Sequence, residues 1–134
     1  MDTSRRWDGR ELLTSLVLGF KIATRAGMAL HGSVEDYHTS GAWNALGCAS
    51  MLARYLNLDE NRTRHAVGIV EYHGPRTEMM RCIDHPTMVK DRSGWGALAG
   101  VSAAHLASDG FTDAPAALIE ADRSGIWNNL GERW

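Results

Sequence analysis

Two basic residues, His38 and Lys90, each stand just ahead of a segment built largely from glycine and alanine. Tyr37-His38-Thr39-Ser40 leads into GAWNALGCASMLA, and Met88-Val89-Lys90 leads into DRSGWGALAGVSAAHLA. If both segments are helices, each basic group sits where unpaired backbone N–H groups and the helix dipole favour negative charge. Two such groups together point to a pocket for a small carboxylate. The plainer alternatives are a loop histidine that caps or hydrogen-bonds locally and a solvated surface lysine.

The elements that would position these residues read as helices. Asp8 and Glu11 form a capping-box arrangement, and Leu12, Leu13, Leu16, Val17, Phe20 and Ala23 recur at helical spacing in a first helix reaching about Leu30. His31-Gly32-Ser33 breaks it, and Thr39 or Ser40 caps a second helix to about Tyr55. After the connector Leu56-Asn57-Leu58, Asp59 caps a third helix that Gly74-Pro75 stops. A helical turn is expected around Arg76 to Arg81, followed by Asp84-His85-Pro86, where the proline biases His85 away from helix. Asp91 or Ser93 caps a last long helix to about Ser108, closed by Gly110 and followed by a polar, irregular tail. No segment stands out as a strand. The expected fold is an all-α bundle of about four to five helices, forming a single helical domain over 1–134.

The second and last helices are rich in glycine, at about 1 kcal/mol per interior residue relative to alanine. Gly41, Gly47, Gly94, Gly96 and Gly100 lie in or beside them. Close approach of two helix backbones is the preferred compensation, since the small residues continue past the first turn; approach of a ligand is the other. Trp43 and Trp95 can then fill the space the small residues leave, in a core or interface role rather than a ligand-stacking one.

Composition narrows the function classes. The chain has 134 residues, 44% hydrophobic and 22% charged, enough for a globular core. Fourteen Lys and Arg against 16 Asp and Glu give a net charge of -2 with no basic stripe, which argues against nucleic-acid binding. The longest apolar run, Leu12 to Phe20, falls short of the ~20 residues of a membrane span. The N-terminus lacks a small-residue cleavage site, so a cytoplasmic location is the simplest inference. Cys48 and Cys82 form neither a CxxC pair nor a disulfide framework, and Cys48 reads as a buried thiol. No HExxH or EF-hand spacing is present, and His65 and His73 are eight apart, so no metal is expected. His31, His65 and His105 read as packing or surface residues.

The runs DYHTSGAWNALGCASMLARYLNLDENRTRHAVGI and MVKDRSGWGALAGVSAAHLASDGFTDAPA resemble the MmgE/PrpD family, which includes 2-methylcitrate dehydratase, cis-aconitate decarboxylase and iminodisuccinate epimerase. The likeness rests on a histidine-threonine-small-residue helix, an L-x-L-D connector, and a lysine before a Gly/Ala helix ending in LAxxGFT, and it extends over nearly the entire chain. It implies an all-helical domain, dimeric enzymes with no required metal or organic cofactor, and small di- or tricarboxylate substrates. By position, His38 corresponds to the family's pocket histidine and Lys90 to its pocket lysine. The implied chemistry is proton removal next to a carboxylate, coupled to loss of water, loss of carbon dioxide, or return of the proton on the other face. A histidine titrating near neutrality suits the proton transfer, and a lysine near a helix start suits carboxylate binding or proton transfer. His85, Arg81, Tyr72 and His73 are second-rank candidates for the same pocket.

The pattern departs from the family in two places. Many members carry a histidine three residues after the lysine, where this chain has Ser93, a pattern closer to the epimerase-like branch. Family enzymes are also several times longer, with an earlier helical segment and a lid domain, so the chain reads as the middle piece of an enzyme. On that reading the isolated chain is weak or inactive, and the alternative is a non-catalytic helical module for oligomerisation or partner binding. Trp127 and Trp134, without a lid to cover them, lead to the expectation of a homo-oligomer.

Overall fold

The computed structural model describes residues 8–85 and 92–120. Helix α1 spans Gly9–His31, and its N-cap Asp8 accepts the Glu11 backbone N–H at 2.8 Å, as the capping signature requires. Helix α2 (Gly41–Tyr55) turns at Leu56, with Asn57 at φ 53, into α3 (Glu60–His73). The Asp59 carboxylate caps α3 by accepting the Arg62 N–H at 2.8 Å, and Gly74 ends it ahead of Pro75. Helix α4 (Met80–Ile83) is a single turn, displaced a few residues beyond the expected Arg76–Arg81. Helix α5 spans Arg92–Ser108 and closes at Gly110, whose φ of 95 suits a residue without Cβ.

Helix α2 lies at the centre, packed against α1, α3 and α5. Its contact with α5 is made backbone to backbone: a Cβ on Gly100 would lie 2.6 Å from the Ala45 carbonyl oxygen and 2.8 Å from the Ala49 nitrogen. On the α1 side, a Cβ on Gly47 would lie 2.7 Å from the Gly19 carbonyl oxygen. Helix against helix is thus what offsets the glycine cost. The core that results is made mostly of alanine, among them Ala26, Ala45, Ala49, Ala103 and Ala104, with Leu46 and Val70 as its larger fully buried members.

Four expectations are corrected. Neither Thr39 nor Ser40 caps α2: Ser40 is already helical in backbone angle and its hydroxyl makes no capping bond, while the Thr39 hydroxyl is buried without a partner. Backbone bonds from Ala42 to Thr39 and from Asn44 to Ser40 hold that first turn instead. Ser93 lies inside α5 rather than ahead of it; Asp91 lies outside the described residues. The tail is not wholly irregular, because Ala117–Glu120 forms a short helix, α6. Its cap comes from α3, where the Glu71 carboxylate accepts the backbone N–H groups of Ala117 and Leu118, and Arg64 of α3 pairs with Glu120 at 2.7 Å.

The fourth correction concerns α1. Leu13, Leu16, Val17 and Phe20 keep the helical period but face outward, with Phe20 74% exposed, whereas Ser15, Gly19, Ala26 and Gly27 face inward. Close packing on α2 selects the small residues and turns the larger ones away. With 23 residues and a mean hydropathy of 1.3 over 18 of them, α1 is by length and composition long and apolar enough to cross a membrane.

Candidate functional site

His38 sits in the turn between α1 and α2, and its backbone is fastened from two sides. Its N–H donates to His31 Nε2 at 3.2 Å. On the other side His38 forms an isolated antiparallel bridge with Glu78, flanked by Thr39 N–H to the Thr77 carbonyl at 2.9 Å and Met79 N–H to the Tyr37 carbonyl at 2.7 Å. Residues forty positions away along the chain therefore form the wall beside His38, a pairing that no local pattern announces.

The hydrogen bonds assign the state of both imidazoles when neutral. His38 Nδ1 lies 2.8 Å from the Asp36 carbonyl oxygen, which only accepts, so Nδ1 carries the hydrogen and Nε2 keeps its lone pair. That nitrogen is a base available to a bound molecule. His31 has no such freedom. Its Nδ1 donates to the Gly27 carbonyl at 2.8 Å and its Nε2 accepts from His38, which occupies both nitrogens. Its ring stacks on Tyr37 at 4.5 Å and meets Trp43 edge-on at 4.9 Å. His31 is a packing residue, as expected from the sequence, but one that holds His38 in place.

The two helix starts singled out in the sequence come together. A Cβ on Gly41, the first residue of α2, would lie 2.6 Å from the carbonyl oxygen of Arg92, the first residue of α5. The Ser40 and Ser93 hydroxyls are 3.2 Å apart, and Asn44 Nδ2 donates to Ser93 Oγ at 3.2 Å. Ser93 is thus held by α2. A hydroxyl cannot exchange a proton near neutrality as an imidazole can, and these bonds leave it a hydrogen-bonding role. Ser40 and Asn44 lie beside the histidine turn without having been singled out for chemistry in the sequence; their signal was only their place at the start of α2.

The remaining candidates separate. Lys90 lies outside the described residues, as do Trp127 and Trp134. Arg81 reaches Thr77 Oγ1 at 3.4 Å, on the strand-like segment that pairs with His38, and is exposed. His85 is exposed beyond α4. Tyr72 and His73 end α3 instead: Tyr72 is 77% exposed, and His73 Nε2 pairs with Asp113 at 3.1 Å. No bond of either ring to the His38 turn is present among the described residues. Trp43 fills the space above Gly27, with ring atoms 3.1 Å from where its Cβ would be, whereas Trp95 stands 58% exposed on α5 and is not a core residue. Cys48 and Cys82 are separate free thiols, the first only half-buried, and burial pushes the Cys48 thiol up from its ordinary value. Among the described residues no cluster of three His, Cys, Asp or Glu could hold a metal ion.

Against known proteins, the model of the MmgE/PrpD N-terminal domain matches residues 1–132. No curated protein and no solved structure matches the chain.

Proposed function

We propose, from the premise that this chain belongs to the MmgE/PrpD family, that it forms part of a lyase or isomerase acting on a small di- or tricarboxylate. The reaction is abstraction of a proton next to a carboxylate, completed by dehydration, decarboxylation or epimerisation. His38 is the base, through the Nε2 lone pair that the Asp36 carbonyl leaves free, and Lys90 binds a substrate carboxylate or returns a proton. The observation that carries the reading is the fastening of His38 at the α2 start, beside the point where α5 begins. A fixed imidazole next to two helix N-termini joins a proton acceptor to a field that favours an anion. On this reading the chain taken alone turns over weakly.

The sensitive test is exchange of the substrate C–H proton in deuterated water, followed by proton NMR with citrate-like, aconitate-like and iminodisuccinate-like acids. Exchange that falls by about 10²-fold or more in His38→Ala, and falls in Lys90→Ala, is the expected result. Exchange unaffected by His38→Ala would overturn the assignment.

The outward face of α1 favours a second reading, a non-catalytic module that self-associates or binds a partner. Leu13, Val17 and Phe20 are 65%, 59% and 74% exposed and lie on one stripe. An apolar stripe of this kind marks an interaction surface more often than a surface facing water. On this reading the chain is a homo-oligomer, and sedimentation finding a monomer at high concentration would refute it.

A further inference from the structure

A groove of about 670 Å³ runs along α5 on the side facing α3, and His38 is not in its lining. Arg92, Trp95, Leu98, Ala99, Ser102 and Leu106 line it, a spacing of three and four that places them on one face of α5. Val70 of α3 and Phe111 also border the groove. From Arg92 to Leu106 the helix rises about 21 Å. The walls are almost wholly apolar, and Trp95, Leu98 and Phe111 remain at least half exposed although they form them.

At one end stands the Arg92 guanidinium, without a counter-ion among the described residues. Arg92 Nη2 donates to the Cys82 sulfur at 3.3 Å, a weak acceptor, and Nε is buried with no acceptor in reach. Among the described residues Arg92 takes part in none of the ion pairs, which use Arg54, Arg64, His73 and Arg76. A partly buried guanidinium with an unmet N–H is costly, and a carboxylate, whose geometry fits the fork, relieves that cost.

We infer that this groove binds an apolar monocarboxylate of medium chain length, its carboxylate on Arg92 and its hydrocarbon along Trp95, Leu98 and Leu106. Charge and shape both enter the inference: of the two basic side chains in the lining, His73 is paired with Asp113 and Arg92 alone stands outside the ion pairs, and one such guanidinium at one end of a long apolar trough fits a molecule with one anionic head and an unbranched tail. The volume lies within the range of small-molecule sites. The groove does not include His38, although Arg92, at its end, also begins the helix that packs on the α2 start.

Decanoate is the probe, titrated calorimetrically into the full chain at neutral pH, with decan-1-ol as the uncharged comparator. Saturable binding of one decanoate per chain is expected, with decan-1-ol at least about tenfold weaker, the loss of a charge-assisted pair. Arg92→Gln lowers decanoate affinity about tenfold or more and leaves decan-1-ol binding unchanged, while Ala99→Phe, which fills the trough, removes both. Far-UV circular dichroism checks the fold of each variant. If Arg92→Gln does not fold, the wild-type decanoate to decan-1-ol ratio together with Ala99→Phe decides. No saturable decanoate binding at millimolar concentration, equal binding of the two probes, or an unchanged decanoate affinity in a folded Arg92→Gln would overturn the inference.

Discussion

Replacing Gly100 by alanine tests the packing that brings the α2 and α5 starts together. Helix propensity alone predicts a gain of about 1 kcal/mol, since alanine is the better interior residue. The tertiary structure reverses the sign. The new Cβ would lie 2.6 Å from the Ala45 carbonyl oxygen, 2.7 Å from the Cys48 Cβ and 2.8 Å from the Ala49 nitrogen. Two of these three are backbone atoms that cannot rotate away, so α5 must lift from α2 by most of an ångström along the most extensive helix contact among the described residues. Overpacking of this kind costs up to about 3 kcal/mol, which leaves a net loss of about 2 kcal/mol after the propensity gain. Urea unfolding followed by circular dichroism at 222 nm reads this as a midpoint lower by about 1 M. Gly9→Ala is the control, because among the described residues no atom beyond its chain neighbours and its own helix backbone lies within 4 Å of its Cβ position, and it changes stability by less than about 0.5 kcal/mol. A Gly100→Ala protein as stable as the wild type, or more so, would refute the close-contact account.

His31→Phe keeps the stack on Tyr37 but removes the acceptor of the His38 N–H, and it lowers stability by about 1–3 kcal/mol. The check is the same urea titration, and an unchanged midpoint would mean that His31 does not anchor the turn. The Arg64 guanidinium holds the Glu120 carboxyl below its ordinary value, so the pair contributes stability above the unfolded carboxyl pKa and loses it as pH falls through the lower folded value. Both groups are largely exposed and the effect is small; a Glu120→Gln protein is therefore slightly less stable than wild type at neutral pH and equal to it in strong acid.

Much of this molecule is decided locally and was legible as such. Asp8 and Asp59 cap their helices with their own carboxylates, and Gly74-Pro75 and Gly110 stop theirs, because each effect needs only residues within one turn. The excess of glycine and alanine in α2 and α5 signalled backbone contact, since nothing within a helix compensates glycine. Histidine at position 38 was visible as a basic group before a helix, and so was the family pattern that carries it.

Other features depend on partners far along the chain. Short α6 exists because Glu71 and Arg64 of α3 hold its two ends, and no sequence window of that length contains them. The α1 period was legible but its direction was not: a stripe of leucine and phenylalanine reads as core, until backbone contact with α2 gives the inward face to Gly19 and Ala26. The same holds at His38. Sequence alone singled out His38 as the candidate; only the tertiary structure supplied the Glu78 bridge and the His31 acceptor that hold it, and the Arg92 backbone that sets a second helix start beside it. The physical reason is that capping and turn chemistry act within a few residues, whereas which face is buried, and what stands opposite a side chain, is fixed by the packing of whole helices.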